Sequence, residues 1–185
     1  MNRAKAAALT ITCALTAVLA SGLGACCSQP TAGTAGSAQQ LGDFASLEPF
    51  KQLAGTWQAD EDGDGKPDMT LVYTTIGAGS AVMEHLFPGT PHQMVTVYHT
   101  HYGQLRATHY CAAKNQPAMV GAWDSTGTTC TFDYLSATNA AADSTVMGHM
   151  QYVWQPDGTL KTSWGSVKAG KVVGEPHGGV FKKVS

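Results

Sequence analysis

The sequence predicts an all-β domain, an antiparallel up-and-down barrel with a short N-terminal helix, carried behind a signal peptide and a flexible tether. Three observations point there. From Thr56 onward, runs rich in Thr, Val, Tyr and Trp alternate with short clusters of Gly, Pro, Asp and Asn. No long helix interrupts those runs. Residues 1–42 differ from the rest, with a basic start, an apolar run and then a small, polar stretch.

The N-terminal segment comes first. Arg3 and Lys5 precede "AAALTITCALTAVLA", and "LGAC" ends the segment at Cys26. Leucine, two small residues and a cysteine resemble a bacterial lipobox. That resemblance implies a signal peptide over 1–25, cleavage between Ala25 and Cys26, and lipid on the Cys26 thiol. A plain secretory signal or a membrane anchor are the alternatives. The apolar run is short for a spanning helix of ~20 residues. A diacylglycerol thioether and an acylated amine supply the several chains that stable attachment needs. Within 26–42, "SQPTAGTAGSAQQLG" is small, polar and aperiodic, the composition of a flexible linker. The expected location is the bacterial cell envelope, with the bilayer as a partner through the lipid.

Charge narrows the other partners. Of 11 basic and 13 acidic residues, the signal removes Arg3 and Lys5, which leaves 9 minus 13, or −4. A mildly acidic chain without a basic cluster argues against nucleic acid and against attachment to anionic lipid by charge alone. Oligomeric state is left open. Cys13 leaves with the signal and Cys26 takes lipid, so Cys27, Cys111 and Cys130 remain. An oxidising compartment permits a Cys111–Cys130 bridge, but sequence does not supply the geometry a bridge requires.

The folded domain is expected over 43–185. "SLEPFKQLAGTW" reads as a short helix, with Ser46 as cap, Pro49 in the first turn and Gly55 at the end. Leu47, Phe50 and Leu53 fall on one face. Strands are expected near 55–59, 69–76, 80–87, 93–101, 105–112, 118–123, 128–136, 145–154, 159–165 and 171–183. "GAGS" at 77–80 is read as a kink in a long strand. Short connections between successive strands imply a meander that closes on itself.

At this point the residues carry a resemblance. A helical turn followed by "LAGTW" looks like the start of a lipocalin-type barrel. "GSAVMEHLFPGTPHQMVTVYHTHYGQLRATHYCAAKNQP", residues 79–117, resembles the bacterial lipocalin-like family called domain of unknown function 1579. "MGHMQYVW", "PDGTL", Trp164 and "AGK" fit its later strands more loosely, and the acidic "DEDGDGKPD" departs from it. The resemblance implies a calycin-like barrel and no activity.

The stretch "YHTHYGQLRATHYC" holds the main candidates. Val95, Val97, His99 and His101 share one strand face, and Leu105, Ala107, His109 and Cys111 share another. A three-residue turn, Tyr102-Gly103-Gln104, keeps both apolar faces together and points His99, His109 and Cys111 inward, with His101 at the rim. The lumen is then expected to hold Trp57, Val95, Val97, His99, His109, Cys111 and Trp164, with Val72, Val82, Met119, Phe132, Met150 and Val153 beside them. His99, His109 and Cys111 could supply three zinc ligands, and His149 or His177 could hold haem, although neither has a local signature. Hydrogen-bonded core histidines satisfy the same pattern and are preferred. Asp60, Asp62, Asp64, Gly65 and Asp68 match the opening of a calcium loop, but Leu71 stands where a bidentate glutamate belongs. A solvated acidic turn is preferred over weak calcium binding, and no cofactor is predicted.

No catalytic motif is recognisable. Ser125 and Ser166 lack a nucleophile-elbow context. Glu84 is a possible buried acid–base group only if a pocket surrounds it. The expected function is therefore a membrane-anchored lipoprotein whose barrel binds a small apolar ligand. The alternatives are a structural or assembly lipoprotein with a filled barrel, and a metal-binding, haem-binding or catalytic barrel using inward histidines.

Overall fold

A computed structural model describes residues 44–185. The expected signal peptide, Cys13, Cys26, Cys27 and tether lie outside the described residues.

A 3-10 turn, Ala45–Leu47, runs into the one-turn helix α1, Glu48–Lys51. Pro49 sits in its first turn, where a missing N–H costs nothing. Ser46 does not cap the helix. Its hydroxyl donates instead to the carbonyl of Gly103, 3.4 Å away.

Ten strands follow: β1 Gly55–Ala59, β2 Met69–Ile76, β3 Ala81–Leu86, β4 Met94–His101, β5 Gln104–Tyr110, β6 Gln116–Trp123, β7 Thr129–Thr138, β8 Thr145–Trp154, β9 Leu160–Lys168 and β10 Lys171–Lys183. Each pairs antiparallel with its sequence neighbours, and β1 pairs with β10, so the meander closes into a barrel. At this seam Gly55 has φ +128°, and a Cβ there would meet the Ser185 carbonyl oxygen at 2.1 Å, so the close approach requires glycine.

Residues 77–80 do not kink a continuous strand. Gly77, Ala78 and Gly79 all take positive φ, which reverses the chain so that Ile76 pairs with Ala81. This is a hairpin turn that the flanking glycines permit.

The β4–β5 hairpin departs from expectation in a way that rearranges the lumen. Its turn is Tyr102-Gly103, with φ of 49° and 76°, and His101 pairs with Gln104. Both central residues in the left-handed region are the signature of the two-residue hairpin that matches strand twist. Even residues of β4 therefore lie opposite odd residues of β5: Tyr98 faces Ala107, and Thr96 faces His109. Leu105, Ala107 and His109 point inward as expected. Val95, Val97 and His99 point outward, and so do Val72 and Val153, each of which alternates with buried neighbours. Thr96 and Tyr98 occupy the inner face instead.

α1 plugs one end of the barrel. Phe50 stacks on Tyr98 at 4.5 Å and meets Phe132, Tyr152 and Trp154 edge-on. Two indoles latch the plug: Trp57 Nε1 donates to the Leu53 carbonyl at 2.7 Å, and Trp123 Nε1 to the Ser46 carbonyl at 3.0 Å. Leu47, Phe50 and Leu53 are all buried, as their spacing predicted. Cys130 and Cys111 are free thiols near opposite ends, one at the start of β7 and one just past β5, so no bridge joins them. Burial pushes the Cys130 thiol up to about 12 and leaves it unreactive.

Candidate functional site

Above the plug lies a polar centre inside an otherwise apolar core. Glu84 on β3 alternates with Val82 and Leu86, and all three point inward and are buried. A carboxyl taken out of water needs partners. Tyr73 on β2 donates to its Oε1 and Tyr98 on β4 to its Oε2, each at 2.6 Å. Such short O–H···O contacts are characteristic of an ionised acceptor. Tyr98 has thus spent its proton, so Tyr152, 2.6 Å away, donates to the Tyr98 oxygen. Trp164 Nε1 donates in turn to Tyr152, at 3.4 Å. The chain from Trp164 through Tyr152 and Tyr98 to Glu84 runs in one direction, and each bond polarises the next. Burial raises Glu84 above its ordinary 4.5, while the four hydroxyls around it act the other way. The three tyrosines are held well above 10 by burial and by the adjacent carboxyl, so they remain donors.

The next row outward continues the network. Thr96 lies opposite Glu84 in the β3–β4 register, buried on the same inner face. His109 lies opposite Thr96 in the β4–β5 register, with Nδ1 3.0 Å from the Thr96 hydroxyl. His109 is 1% exposed, and burial pulls it from 6.5 to about 4, so the ring is neutral.

At the end away from α1 the strands leave a cavity of about 250 Å³. Met69, Leu86, Phe87, Met94, Met147 and Trp164 line it, with His109 below and Cys111 and His177 also in its wall. Three methionines make such a wall adaptable. Phe87 can turn into it because it takes φ 52° just past β3.

Of the expected lumen residues, Trp57 and His109 are buried in the interior, and Trp164 and Cys111 border the cavity. Val82, Met119, Phe132 and Met150 are also fully buried. His99 is on the outer face with Nδ1 3.3 Å from the Thr100 carbonyl, so the His99–His109–Cys111 zinc triad does not assemble. His149 also faces outward and pairs with Asp133 at 3.0 Å. Of the two haem candidates only His177 borders the cavity. Glu84 is sealed in the core and does not reach the cavity, which removes the condition for an acid–base role.

The acidic loop between β1 and β2 stands at the same end as the cavity. Among the described residues, Asp60, Asp62 and Asp68 form the one group of three such side chains whose ligand atoms lie within 4.8 Å of one another. Asp64 is outside this group and faces Lys66 at 3.6 Å. The carboxylates are already engaged with their own backbone. Asp60 accepts from the N–H groups of Gly63 and Gly65, and Asp68 from that of Glu61. These bonds order the loop.

Tyr73, Tyr98, Tyr152, Thr96 and the cavity methionines escaped sequence reasoning. The signal that could have found them is Glu84, whose place between Val82 and Leu86 demands hydroxyl donors on the adjoining inner faces. The closed antiparallel barrel is compatible with a ligand-binding, calycin-like role. Comparison of the sequence with protein-family models and with curated proteins gives no match.

Proposed function

We propose that the chain is an envelope lipoprotein, anchored through Cys26, whose barrel binds a small apolar molecule in the open-end cavity. The basic start, the apolar run and "LGAC" support the anchor. The observation that carries the binding role is the cavity itself, about 250 Å³ and walled mainly by thioether, aliphatic and aromatic groups, with His109, Ser166 and His177 among them. A dry apolar cavity of ~150 Å³ accommodates benzene, so this one has room for a single substituted ring. It is smaller than the pockets of ~300–1,000 Å³ that hold drug-sized ligands. The ligand is correspondingly small.

Methyl-labelled methionine reports this directly. Toluene should shift the methyl signals of Met69, Met94 and Met147, and leave Met83, on the outer face of β3, in place. Met94→Trp should fill the cavity and abolish the shifts. If the three signals stay put at saturating toluene, the binding reading fails.

The packed plug end favours a second reading, a structural lipoprotein. Phe50, Tyr98, Phe132 and Tyr152 are fully buried there, with Phe50 in ring contact with the other three. Such a protein would leave the toluene experiment blank.

A further inference from the structure

We propose that His109 is the polar recognition group of the cavity, and that the ligand is a small, uncharged, mostly apolar molecule carrying one hydroxyl. The proposal rests on the binding reading above and names its ligand class.

One ring nitrogen of His109 is engaged: Nδ1 lies 3.0 Å from the Thr96 hydroxyl. Nε2 makes no hydrogen bond to the described residues. Burial keeps the ring neutral, so Nε2 accepts or donates according to the tautomer, and a hydroxyl satisfies either.

Charge and volume restrict the partner further. Asp60, Glu61, Asp62, Asp64 and Asp68 stand on the loop at the cavity's end, opposing anions. No carboxylate lines the cavity to neutralise a cation. A neutral molecule remains, and the methionines and Trp164 fit an apolar body. A hydroxyl on that body satisfies the buried imidazole in the wall.

Phenol and toluene separate the terms, since they share a ring and differ in the donor. Nitrogen-15 spectra of His109 report the contact. Phenol should move the Nε2 resonance, whereas toluene should move the methionine methyls and leave Nε2 unchanged. In His109→Phe the phenol-to-toluene affinity ratio should fall about tenfold, with toluene binding retained. Thr96→Val, which removes the partner that orients the ring, should lower the same ratio. An Nε2 resonance unmoved by phenol, or a ratio unchanged in His109→Phe, would overturn the proposal while leaving toluene binding intact. The wild-type spectra decide even if a variant fails to fold. Failure of both probes to bind would remove the cavity reading and this proposal together.

Discussion

At Glu84 and His109 the barrel buries two titratable side chains with opposite consequences for pH. The Glu84 carboxyl is raised above 4.5. As pH climbs, the unfolded chain therefore loses this proton first, and stability falls from about 4.5 up to the folded value. His109 is lowered instead. Between about 4 and 6.5 the unfolded chain binds a proton that the folded chain refuses, so stability falls as pH falls. At about 1.4 kcal/mol per pH unit, this interval is worth roughly 3 kcal/mol. His109→Phe should lose that dependence. Urea unfolding at pH 7 and pH 4 should show the wild-type advantage over the variant shrinking by roughly 3 kcal/mol on acidification. An advantage of equal size at both values would mean that His109 titrates normally in the folded protein. The same two residues show what sequence conveys at this scale. An isolated Glu between apolar neighbours signals buried polarity, but not which hydroxyls come to meet it.

Among the elements, α1 has the largest effect for its length. One turn of helix inserts Phe50 among Tyr98, Phe132, Tyr152 and Trp154, and so supports the floor beneath the Glu84 network. Phe50→Ala should cost about 3–5 kcal/mol, through lost transfer energy and the cavity left behind. Chemical denaturation measures this, and a loss below ~1 kcal/mol would show that α1 rests on the barrel without bracing it. Element boundaries were legible because the turns are written in Gly, Pro, Asp and Asn, residues chosen for backbone reasons that act locally. The expectation for 171–183 coincides with β10 for that reason, and 145–154 with β8. The inner face of β4 was not legible. Val95 and Val97 look like core residues because β-branched side chains suit any pleated surface, including an outer one. The inside of this barrel is instead partly polar, so hydrophobicity misassigns the face. The position of one turn, Tyr102-Gly103 rather than a longer one, inverted that face and moved His99 from lumen to surface.

Considered whole, the barrel divides into a sealed half and a receptive half, and Glu84 in the first lies beside the Thr96–His109 pair that borders the second. The proposed anchor assigns membrane attachment to Cys26. Cys26→Ser should leave an unlipidated precursor that keeps residues 1–25, seen as an increase in polypeptide mass and loss of the lipid mass. Normal mature protein from that variant would overturn the anchor. The closed topology has a kinetic corollary. Nine of the ten strand pairings join strands consecutive in sequence, and only β1 with β10 brings together distant parts of the chain. Hairpins can zip one after another at little entropic cost, whereas that last join must close a loop of nearly the whole domain. It is also narrow: Trp57 pairs with Lys183 and Gln58 with Lys182, and Thr56 exchanges bonds with Val184 and Ser185. The barrel thus folds as a sheet that curls and is fastened at the end, and the fastening consists of a few backbone bonds beside a glycine that tolerates no side chain.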